Sequence, residues 1–171
     1  MEDVAIANVL ETLFRELIDG VPRDPSYILN TGDRGLLASL DKISAADASR
    51  VHAGGASIAA HTDHLRYGIV LMNQWRAGVK NPWAGADWTA SWKKTAVTDE
   101  AWRRLRDELR TETHRWLETM GSAAQLDETQ LLYMFASIAH LSYHLGAIRQ
   151  MDRAIGGPSA ERELAIKAGT A

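Results

Sequence analysis

Apolar residues recur every three or four positions along most of the chain, the period of a helix face, while strand signals are weak, with little β-branched alternation and no Asn-Gly or Asp-Gly hairpin turn between apolar runs. Val4, Val9, Leu10, Leu13, Phe14 and Leu17 form a first stripe and predict a helix over residues 3–19, stopped by Gly20, Pro22 and Pro25. Residues 20–56 read as a long connection with one or two short helices, because "DRGLLASLDKIS" has helical spacing and "SAADAS" offers a serine cap. A second long helix is expected from the cap residue Ser57 through Trp75. Residues 79–97, "VKNPWAGADWTASWKKTAV", hold three tryptophans, Pro82 and Gly85, and are expected to form an ordered excursion packed on the helices. Thr98 should cap a third helix whose stripe is Trp102, Leu105, Leu109, Trp116 and Met120, closed by Gly121. The fourth is expected over 127–155, with Leu131, Phe135, Ile138, Leu141, Leu145 and Ile148 inward, ending at "GGP". The tail, 159–171, is mixed and is expected to fray or to form one more short helix.

Four long amphipathic helices predict an all-α four-helix bundle, and the long connection between the first and second helices argues against simple up-down-up-down order. At 171 residues the chain fits a single domain, 1–171, large enough to bury a core without disulfides or a structural metal. Its formal net charge of −3, from 19 basic and 22 acidic residues dispersed along the chain, gives no footprint for nucleic acid. The acidic start "MEDVAIANVL" is unlike a signal peptide, and no uninterrupted apolar run approaches a membrane span. The expectation is no membrane partner and a cytoplasmic location. Cysteine is absent, so any metal chemistry falls to His, Asp or Glu.

Four of the six histidines form two helical pairs. His140 and His144 are four residues apart in "SIAHLSYHLGAIRQ", roughly 40° around a helix axis, and so share a face one turn apart. His61 and His64, three apart on the second long helix, lie roughly 60° from each other. One such pair is usually a core or rim feature satisfied by a carbonyl or water. Two pairs on separate bundle helices are different, because facing helices are where bundles build metal sites. His52, in a loop, is expected at the surface, and His114 falls opposite the apolar stripe of its helix.

"SIAAHTDHL", followed some 75 residues later by "HLSYHLGAIRQ", resembles the DinB/YfiT-like family of metalloproteins. "GDRGLLASLDKIS" and "DWTASW" extend the likeness over nearly the whole chain. The resemblance implies one divalent metal held by three histidines, one from the second long helix and two from the last. Counting from the capping Ser57, the family pattern selects His64, followed by Leu65, and makes His61 a group beside the metal, the rival being a fourth imidazole that would close the site. His140 and His144, followed by "LGAI", supply the other two, with Ala147 where the family commonly has Gln. His64, His140 and His144 are thus the expected ligands, with zinc or nickel favoured and iron compatible.

Three neutral imidazoles leave positions for water or substrate, as in catalytic zinc sites. Some relatives are transferases or isomerases whose metal activates a low-molecular-weight thiol, so the resemblance implies such an activity, or a hydrolase. Asp63, Tyr67, Asp87 and Tyr143 are candidates for orienting or acid–base roles beside the metal, against the simpler reading of each as a surface or packing residue. The competing class is a non-enzymatic bundle that dimerises through Trp83, Trp88 and Trp92. A homodimer is expected in either case.

Overall fold

The structure, a computed structural model, describes residues 2–51, 55–122, 126–152 and Ile155. Among these the chain forms seven helices: α1 (Glu2–Asp19), α2 (Gly35–Leu40), α3 (Ala45–Ala48), α4 (Ile58–Arg76), α5 (Trp88–Ser91), α6 (Asp99–Gly121) and α7 (Glu128–Met151). The described residues hold no strand beyond an isolated bridge between Val51 and Ser57. The four long helices and the two short ones between the first pair follow the polarity pattern. His52 and the 159–171 tail lie outside the described residues.

Each long helix after α1 begins at a side-chain cap. Ser57 accepts from the Ala60 amide and Thr98 from that of Ala101. Asp127 and Gln130 form a reciprocal capping box at the start of α7. That helix stops at Met151, short of the expected residue 155, because Asp152 takes extended dihedrals, φ −129° and ψ 97°.

Both α1 and α4 pack against α6 and against α7. The shared core includes Leu10, Phe14, Leu17, Leu65, Leu109, Trp116, Met120 and Leu141. Two indole N–H groups tie it together: Trp116 donates to Ser137 Oγ on α7 at 2.9 Å, and Trp102 donates to the Ile43 carbonyl before α3 at 2.7 Å.

Two expected stripes hold at most positions, with Leu13 and Leu131 packed at the core edge, and fail at single residues. Along α1 the buried row is Ala7, Leu10, Phe14, Leu17 and Ile18, while Val4 and Val9 are 49% and 56% exposed. Val9 sits one residue, about 100°, off that row, and Val4 belongs to the first turn. On α7 the inward row is Met134, Ile138, Leu141, Leu145 and Ile148, and Phe135 is 51% exposed. Over an 18-residue window α7 has a mean hydropathy of 1.3, long and apolar enough to cross a bilayer by length and composition, with 39% of the window buried in the fold. No uninterrupted apolar run marks this helix, because Ser137, His140, Ser142 and His144 interrupt it.

The connection after α1 is anchored from below. Glu16, 5% exposed, accepts hydrogen bonds from the amides of Tyr27, Ile28 and Leu29, the shortest at 2.6 Å. The loop closes where Gly20 and Gly35 meet, at φ 86° and φ 71°. A Cβ on Gly35 would come within 2.5 Å of the Gly20 amide nitrogen, and one on Gly20 would run into the Asp33 carbonyl. Beside this contact Arg149 of α7 pairs with Asp33 at 2.6 Å, both side chains largely buried.

Candidate metal centre

Packing α4 on α7 brings the two histidine pairs face to face. His61, His64 and His144 are buried and His140 is half-buried. His64 Nε2 stands 3.3 Å from His140 Nε2, which stands 2.9 Å from His144 Nε2. One donor nitrogen from each of His64, His140 and His144 lies within 4.8 Å of the others, a group that could hold a metal ion. Zinc–nitrogen bonds of about 2.0–2.1 Å place tetrahedral ligand atoms about 3.3 Å apart and right-angled ones about 2.9 Å apart. Each of the two separations is short enough for the pair of nitrogens to share one ion.

His61 belongs to the surroundings of this trio. Its Nδ1 lies 2.7 Å from His144 Nδ1, the ring nitrogen of His144 that is not turned toward His140. His61 therefore meets His144 on the side of the ring away from the cluster, where it can orient the ring.

The 88–92 segment completes the surroundings. Asp87 caps α5 by accepting from the Ala90 amide, and this short helix directs Ser91 and Trp92 at α4. Ser91 Oγ lies 2.9 Å from His64 Nδ1 and donates to the Trp88 carbonyl at 2.7 Å. Trp92 stacks on the His64 ring with centroids 4.3 Å apart and meets His61 edge-on at 5.2 Å. Trp88 packs against both His64 and Tyr67.

Burial favours uncharged imidazoles throughout. It pushes His144 down to about 3, with His140, His61 and His64 adding to the shift. It pushes His64 down to about 4, with His140 and His61 reinforcing the effect and Asp63 opposing it. His61 and His140 are lowered by the same loss of water. All four are neutral near pH 7, the form in which imidazole offers a lone pair to a metal.

The remaining candidates make other contacts, only that of Tyr143 reaching a cluster histidine. Asp63 turns to Arg66 and Lys94, at 2.8 and 3.3 Å. Asp87 is the α5 cap, and its own amide donates to the Tyr67 hydroxyl at 3.1 Å. Tyr143 is 69% exposed and sets its ring edge-on to His144 at 5.0 Å. His114 pairs with Asp19 at 3.0 Å. Trp83 stacks on Tyr133 at 4.8 Å, so the tryptophan segment packs on its own chain.

Ser91 went unsingled in the sequence because nothing local marks it. The only signal is Asp87 as a cap for "WTAS", which predicts a short helix but not what it touches. Comparison of the chain with protein-family models, with curated proteins and with solved structures finds no match.

Proposed function

We propose that the protein binds one divalent metal through the Nε2 atoms of His64, His140 and His144. The observation that carries this reading is the convergence of three neutral ring nitrogens from two helices at separations of 2.9 and 3.3 Å. Lone pairs so placed repel one another unless a proton or a cation lies between them, and imidazoles in this form suit zinc, nickel and iron. Three ligands leave room for water or substrate, and a metal held this way supplies Lewis-acid activation of a bound water or thiol. The DinB/YfiT-like resemblance supports the four-helix-bundle reading and a transferase, isomerase or hydrolase that acts with an external low-molecular-weight thiol. Untagged protein purified without chelator should carry one divalent ion per chain by elemental analysis. A chain that stays metal-free after exposure to zinc, nickel and iron would remove the basis of the proposal.

A second reading, association of two copies, rests on a different observation. The exposed residues of α7 from 132 to 146 are Leu132, Phe135, Ala136, Ala139, Tyr143 and Gly146, with no charge among them. Leu132 is 64% and Phe135 51% exposed. A face of large side chains around small central residues can pair with a copy of itself about a two-fold axis. This reading puts the expected homodimer on α7, whereas Trp83, Trp88 and Trp92 each make ring contacts within the chain. Light scattering at micromolar concentration should give twice the chain mass, and Phe135→Glu should return the monomer. A wild-type monomer across that range would discard the dimer without touching the metal proposal.

A further inference from the structure

We infer that Ser91 is a positioning residue that holds His64 in the tautomer able to bind metal, and so couples the 88–92 segment to metal occupancy. The inference rests on the metal reading above and adds to it a residue outside the histidine cluster.

A serine hydroxyl has one proton and two lone pairs. The Ser91 proton is committed to the Trp88 carbonyl, at 2.7 Å. Toward His64 Nδ1, 2.9 Å away, the hydroxyl can therefore only accept. His64 must then carry its proton on Nδ1, which leaves the Nε2 lone pair free on the side where His140 and His144 converge. Ser91 is buried, so water does not compete for this contact. The stacked Trp92 ring limits rotation of the imidazole, leaving tautomer and orientation set by the same short helix.

The coupling follows by reciprocity. A metal on Nε2 requires the proton at Nδ1, which strengthens the donor to Ser91, and a segment that holds Ser91 in place favours the metal by the same factor. Gly78 precedes the excursion and Gly85 lies within it, but α5 is joined to α4 by more than chain connectivity: the contacts through Ser91, Trp88 and Trp92 all converge on His64.

The test has one readout that needs no metal and one that does. In metal-free protein at pH 8, long-range proton–nitrogen spectra of the imidazoles, with His64 assigned by its loss in His64→Gln, should show His64 protonated at Nδ1. Ser91→Ala should shift it toward protonation at Nε2, and Ser91→Thr, which keeps a hydroxyl, should restore it. Zinc affinity, measured by competition with a chromophoric chelator, should fall about 10- to 100-fold in Ser91→Ala and recover in Ser91→Thr. Zinc should also slow amide exchange at residues 90–93 in the wild type more than in Ser91→Ala. An Nε2-protonated His64 in the wild type, or equal zinc affinity in Ser91→Ala, overturns the inference while the metal site stands. Failure of the wild type to take up zinc overturns the metal reading, and the coupling with it.

Discussion

At the scale of single residues, the decisive distinction is between His61 and His64, both on the inner face of α4 and three positions apart. Helical spacing alone leaves the two equivalent, and only the family resemblance, counted from the capping Ser57, favours His64. In the structure His64 turns Nε2 toward His140, while His61 meets His144 on its other ring nitrogen, an arrangement in keeping with the proposed ligand set. His64→Ala should accordingly lower metal affinity by orders of magnitude, whereas His61→Ala should lower it by about 10- to 100-fold, the range of a group that orients a ligand. Titration of both variants with zinc against a chelator checks this, and a larger loss in His61→Ala would reverse the assignment. The histidines were legible because their geometry is set within single helices. Ser91 was not, because its partner lies 27 residues away and only the folding of the excursion brings them together.

At the scale of elements, caps and stops were legible where a side chain advertises them, as at Ser57, Thr98 and Asp127. Rotation about the axis was harder to read on α7, which has apolar residues on every side, so that Met134 and Phe135 could equally have faced inward. Nor did the pattern disclose that an acid on α1 is buried. Glu16 looks like an ordinary helix residue, yet it is the acceptor that holds the amides of Tyr27, Ile28 and Leu29. Replacing it by Ala leaves those donors without their partner, and should cost on the order of 3 kcal/mol at neutral pH. The urea midpoint should fall accordingly with an unchanged slope. A midpoint within error of the wild type would show that water replaces the carboxylate.

For the whole molecule, the all-helical class followed from periodicity alone, and the meeting of α4 with α7 could be anticipated only through the histidines they share. That meeting makes stability depend on pH. Unfolded histidines titrate near 6.5, whereas burial holds His64 at about 4 and His144 at about 3 in the folded chain. Above pH 6.5 both states are neutral and the full stability is present. As pH falls from 6.5 toward 4 and then 3, the unfolded state takes up protons that the folded state refuses, so stability is progressively lost. Urea midpoints of the metal-free protein between pH 7.5 and 5 should show this decline, and His144→Leu should flatten it. An equal slope in the variant would assign the acid sensitivity to other groups. The junction of Gly20 and Gly35 bears on a different property, the way this sequence can vary. A substitution at either glycine meets backbone rather than a side chain that could move aside, so neither can be rescued by changing the other. A library randomised at both positions is expected to return the glycine pair, while insertions after Arg23, outside the amides that Glu16 grips, add only the slow logarithmic entropy of a longer loop. The seam is where the heritable information sits, and the span it closes is free to lengthen.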